Sequence, residues 1–242
     1  MMNNQTLNAH CAVCSVKNRA CITPTGIGPV FCPTTRNQAL VERAIKEYEK
    51  PEIKKFAHMA SVQEAECYTN RHIKPYVLHP IKPRVQEICE FSKKMGYTKL
   101  GVAFCGGLRS EAQALTEILR AYGFDVVSVI CKVGCTPKEA LGLQEEEKIK
   151  IGEFESMCSP IAQALVLNEA KTDFNILVGL CVGHDSLFFK YSTAFTTVLI
   201  AKDRVLAHNP VGALYTRGSY YVRLLAPDND SVTDNSQLPA RK

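Results

Sequence analysis

The sequence predicts an α/β protein: a Rossmann-like or flavodoxin-like, mostly parallel sheet over residues 98–225, preceded by a four-cysteine N-terminal metal knuckle (1–35) and a helical segment (36–97), and followed by a flexible tail (226–242). Short, continuous apolar runs, KLGVAFC at 99–105, DVVSVIC at 125–131 and FNILVGLC at 174–181, alternate with amphipathic helical stretches. Strands buried on both faces read as such runs, because right-handed crossovers lay helices over both sides of a parallel sheet. Residues 11–35 instead combine four cysteines with proline and glycine and keep no period of 2 or 3.6, so something other than a core organises them.

Taken in order, Thr35 and Gln38 have capping-box spacing, and Leu40, Val41, Ala44, Ile45 and Tyr48 trace one helix face, which predicts a helix over 36–49. Pro51 opens a second helix through Ile53, Phe56, Ala57 and Ala60; Pro83 opens a third that ends at Gly96. The strand 99–105 is followed by Gly106 and Gly107, then by a helix through Ala112, Leu115, Ile118 and Leu119 that stops at Gly123. After the strand 125–131 comes a polar stretch near 136–156, then a helix capped by Ser159 with Pro160 at its first position. Strands at 174–181 and 195–200 follow, with a turn at Lys202 and Asp203 expected to return Val205–His208 as a hairpin partner.

Composition excludes several classes. With 46% hydrophobic and 22% charged residues the chain is neither disordered nor fibrous, and no apolar run approaches the roughly 18–20 residues of a membrane span. The first ten residues lack the basic start and apolar core of a secretory signal, so a cytoplasmic location is expected. Eleven cysteines in a reducing compartment point to metal or catalysis rather than to a disulfide framework, which an odd number also fits poorly. Residues 1–97 carry 14 Lys and Arg against 8 Glu and no Asp, an excess of +6. The basic residues are scattered as on solvated helix faces, so nucleic acid is not expected as a partner.

Cys11, Cys14, Cys21 and Cys32 follow C-x2-C-x6-C-x10-C, a spacing that folds four thiolates toward one centre by short loops. Tetrahedral zinc and a 4Fe-4S cluster both accept such a set; the second group of cysteines further on inclines the reading to iron–sulfur. His10, beside Cys11, is a substitute ligand.

In an open α/β sheet, ligands bind beyond the carboxyl ends of the strands. Cys105 and Cys181 end two predicted strands, and Cys158 joins them if the loop before Ser159 folds over that edge. Three such cysteines serve either as ligands of a metal centre, with Cys131 or Cys135 as a fourth, or as redox thiols. The glycines Gly106, Gly107 and Gly183 make strand–loop–helix elbows whose amides suit a cofactor or anion. Arg109 adds a positive charge, and His184 with Asp185 forms a candidate acid–base pair, Asp185 also capping the next helix. The expected function is that of a metal-binding protein with a second cysteine-lined site, in its most active version a redox or sulfur-handling enzyme acting on a small anionic substrate or with an electron-transfer partner. The alternatives are a zinc-knuckle module that docks nucleic acid or a protein through its basic helical third, and a metal store or chaperone.

Together the N-terminal cysteines, CGGLRSEA at 105–112, MCSPIAQALVLN at 157–168, GLCVGHDSLF at 179–188 and AKDRVLAHNP at 201–210 resemble the domain-of-unknown-function 1847 family, over nearly all of residues 10–225. The resemblance implies metal binding, with Cys105, Cys158 and Cys181 at matching positions, and implies no particular reaction or substrate. The family segment at 158 is usually C-N-P-I, so Ser159 is a departure, and Cys135 is not a family position.

Overall fold

The computed structural model describes residues 8–226, so the expected tail lies, after Ala226, outside the described residues. The chain divides into two compact units, one running to Ile81 and one starting at Lys82.

In the first unit, residues 11–32 are turns held by local hydrogen bonds and by a single bridge between Arg19 and Ile27. Gly26 and Gly28 permit this: a Cβ at Gly26 would lie 2.3 Å from the Arg19 carbonyl carbon, and one at Gly28 would lie 2.7 Å from the Cys32 sulfur. Three helices follow, α1 (Pro33–Arg36), α2 (Gln38–Tyr48) and α3 (Pro51–Glu66), then a two-residue antiparallel ladder of β1 (Tyr68–Thr69) and β2 (His79–Pro80). The expected single helix over 36–49, with its Thr35–Gln38 box, is corrected here. Pro33 starts a short turn of its own, and Asn37 caps α2 by accepting the Leu40 amide at 3.2 Å. The apolar face of α2 is largely exposed.

The second unit is mixed α/β. Helix α4 (Arg84–Met95), strand β3 (Lys99–Phe104), helix α5 (Arg109–Ala121), strand β4 (Asp125–Ile130), helix α6 (Pro160–Glu169), strand β5 (Phe174–Val178), helix α7 (His184–Tyr191), strand β6 (Thr196–Ile200) and a short helix α8 (Val211–Tyr215) follow in order. The four strands form one parallel sheet in the order β4-β3-β5-β6. The central strands β3 and β5 are almost wholly buried, as their unbroken apolar runs require. On one face Ala103, Val129 and Leu177 pack with Ala164 and Leu167 of α6 and Phe188 of α7. Side chains alternate along a strand, so Phe174 points to the other face, where it meets Phe91 of α4 at 5.6 Å between ring centroids. Asn175, fully buried in β5, is satisfied by Thr172 and Ser192.

The hairpin expected at 205–208 is not formed. β6 pairs with β5 alone, and residues 204–208 are turns in which the Asp203 carboxylate accepts the amides of Val205 and Leu206. No helix among the described residues is long and apolar enough to cross a membrane.

Candidate functional site: a row of thiols at the sheet's carboxyl edge

Because all four strands are parallel, they deliver their following residues to one edge. Cys105 follows β3, Cys131 follows β4, Gly179 to Cys181 follow β5 and Lys202 follows β6. The chain begins the sheet with β3, steps out to β4 and returns across β3 to β5, so the connections diverge between β3 and β5. Such a divergence leaves a crevice at the carboxyl edge.

Cys131 is the centre of the group. Its Sγ lies 3.8 Å from the Cys158 Sγ, and it hydrogen-bonds the Cys105 thiol as well. The Gly106 amide donates to the Cys131 sulfur at 3.3 Å. Cys158 arrives because residues 132–158 leave β4 and come back: Ser159 donates its amide to the Cys131 carbonyl at 2.7 Å, and Met157 donates to Thr136 at 2.8 Å. That excursion is tied inside by Lys138–Glu155 at 2.7 Å and by Lys148, whose ammonium meets Glu145 at 2.7 Å and Glu139 at 2.9 Å. Ser159 does occupy the N-cap position of α6, but its side chain makes no cap hydrogen bond; its work is done by the backbone.

Cations surround the sulfurs. Lys202 reaches back from the far strand to place Nζ 3.4 Å from Cys105 Sγ, and Arg204 donates to Cys181 Sγ at 3.1 Å. The hydrogen bond from Cys131 holds the Cys105 thiol well below its ordinary range, aided by the Gly107 amide and Lys202. Cys158 is lowered in the same way, first by Cys131 and then by the charges of Lys132 and His184. Cys131, between them, is pushed up because it keeps the proton that both neighbours share.

The expected site residues therefore separate. Cys105 and Cys158 stand with Cys131, while Cys181 is paired with Arg204. Cys135 is exposed on the turn after β4, at φ 48°. His184 is the first residue of α7, whose N-cap is Gly183 at φ 83°, so Asp185 is not the cap; its carboxylate accepts the Ser186 amide at 2.8 Å. Arg109 is exposed at the start of α5 and makes no hydrogen bond to the thiols among the described residues. Lys202 and Arg204 were not foreseen as partners of the thiols. Their alternation at 202 and 204, just past a strand, is the one signal that could have marked them.

In the first unit, Cys11, Cys14, Cys21 and Cys32 line one cavity of about 220 Å³, together with Arg19 and Phe31. Cys32 is held below the ordinary thiol range by hydrogen bonds from Thr35, the backbone amide foremost. His10 packs edge-on against Phe31 at 5.9 Å. Among the described residues no three His, Cys, Asp or Glu side chains converge on one point as the ligands of a single ion would.

Fold and sites thus define a parallel α/β protein with a thiol-lined carboxyl edge and a separate cysteine-lined N-terminal cavity. The chain belongs to the protein family of unknown function DUF1847, whose model matches residues 32–199. It is 47% identical over 186 residues to an uncharacterized protein of Methanocaldococcus jannaschii, a match that covers 77% of this chain and 88% of the relative. No solved structure matches it.

Proposed function

We propose that this protein is an iron–sulfur redox protein, with Cys11, Cys14, Cys21 and Cys32 holding a 4Fe-4S cluster and the carboxyl-edge cysteines forming a second, separate sulfur site. The observation that carries the reading is that all four N-terminal cysteines line one cavity. Four thiolates satisfy one tetrahedral zinc or the four irons of a cubane. The second group of cysteines in the same chain inclines the reading to the cubane, whose four irons each take one thiolate.

A bound cluster supplies one-electron transfer. The chain's own residues hold and surround it: Gly28 lets Cys32 close in, the Thr35 amide favours its thiolate form, and Arg19 offsets negative charge. At the carboxyl edge, the ring of Lys132, Lys202, Arg204 and His184 suits a small anionic substrate. The strand order supports a flavodoxin-like reading of the sheet. Eleven free cysteines support residence in the reducing cytoplasm.

The test is metal and acid-labile sulfide analysis of anaerobically purified protein. About four irons and four sulfides per chain are expected, retained in Cys105→Ala and lost in the double variant Cys11→Ala, Cys14→Ala. One zinc per chain without iron, or iron that survives the double variant, overturns the reading.

A further inference from the structure

Cys131 is placed so that it can bond to either of two neighbours. Its amide donates to the Phe104 carbonyl at 2.9 Å, continuing the ladder in which Phe104 pairs with Ile130, so residues 105 and 131 are neighbours on adjacent parallel strands. Adjacent strands lie about 4.7–4.9 Å apart, inside the ~4.4–6.8 Å between Cα atoms that a disulfide accepts. On its other side, Cys158 Sγ stands at 3.8 Å, fixed by the Ser159 amide on the Cys131 carbonyl. Cys131 is 3% exposed, whereas Cys105 and Cys158 are half-buried, so the outer two thiols are the ones a solute can reach. Lys202 sits at Cys105 and Lys132 beside Cys158.

We propose that Cys105, Cys131 and Cys158 form a three-thiol relay that reduces the S–S bond of a small anionic disulfide or persulfide. The Cys105 thiolate, with Lys202 drawing the anion in, attacks one sulfur of the substrate R–S–S–R′, bonds to RS and expels R′S⁻. Cys131 gives its proton to R′S⁻, attacks the Cys105 sulfur and releases RS⁻, which is hydrosulfide when the substrate is a persulfide. The protein has given two electrons and holds a Cys105–Cys131 disulfide. Cys158, as thiolate, then attacks the Cys131 sulfur and frees Cys105 as thiolate. The oxidised pair is now Cys131–Cys158, and a dithiol reductant from solution returns it to two thiols by the same exchange. Cys105 is available for the next substrate before that reduction occurs. This activity goes beyond the N-terminal cluster and is read on different cysteines, so either proposal can fail alone.

The experiment treats the reduced full-length protein with oxidised glutathione, quenches in acid, counts released glutathione and maps the bonded cysteines by mass spectrometry. The wild type should release two glutathiones per oxidised molecule consumed and end with Cys131 linked to Cys158. Cys131→Ser should stop with one glutathione released and one held on Cys105, and the half-buried Cys158→Ser should end at Cys105–Cys131. Lys202→Met should slow capture at Cys105 about tenfold, through loss of the neighbouring charge. A parallel arm with thiosulfate reads hydrosulfide: its release extends the activity to sulfane sulfur, and reaction with glutathione disulfide alone restricts it to disulfides. Failure of both substrates overturns the relay. So does capture on the exposed Cys135 as fast as on Cys105, or a wild-type product that lacks Cys131 in its disulfide.

Discussion

At the scale of single residues, the arrangement assigns opposite behaviour to chemically identical groups. Cys105 is held in its anionic form by a donor thiol, an amide and an ammonium, while Cys89, wholly buried in α4, is pushed up to about 11 by loss of water. A thiol with a lowered pKa remains thiolate as pH falls through the ordinary range near 8.5, and loses that form only on passing its own folded value. Alkylation of Cys105 by iodoacetamide should therefore stay nearly constant between pH 8 and pH 6, where an ordinary thiol slows about 80-fold. In Cys131→Ala the missing donor should restore part of that slope; a wild-type rate that already falls tenfold per pH unit contradicts the account.

At the scale of elements, the excursion between β4 and α6 decides whether Cys158 stands over Cys131. Lys148 anchors it, raised by the hydrogen bonds it donates to Glu145 and Glu139, and these carboxyls are in turn lowered by Lys148, as Glu155 is by Lys138. Carboxyls lowered on folding contribute stability above their unfolded pKa near 4.3, and lose it as pH falls through their folded values. Hydrogen exchange corrected for intrinsic rate should show residues 136–157 protected from pH 5 to 9 and opening below about pH 4. Equal protection at pH 3 would show that the ion pairs do not hold the excursion. This element was illegible in the sequence. Its closure depends on ion pairs across a polar stretch without periodicity, so only the apolar runs on either side of it could be read. The central strands 99–104 and 174–178 were legible because burial on both faces leaves an unbroken apolar run, and the partly buried edge strands 125–130 and 196–200 because they keep short β-branched apolar runs. The false hairpin at 205–208 came from a turn signal that Asp203 satisfies locally, by accepting two amides, without any strand to follow.

At the scale of the whole molecule, each of the two units gathers sulfur in its own way. The N-terminal cysteines line a common cavity, and their C-x2-C-x6-C-x10-C spacing is what led a shared centre to be expected there. The carboxyl-edge cysteines stand in contact, with Cys131 rather than Cys181 between the other two, because strand order, invisible in one sequence, puts β4 beside β3. X-ray absorption of the anaerobic full-length protein tests the central claim most directly. An iron edge with an iron–sulfur shell and a second, metal–metal shell is the result expected of a cluster held by Cys11, Cys14, Cys21 and Cys32. A zinc edge with one sulfur shell near ~2.3 Å and no metal–metal shell would contradict it.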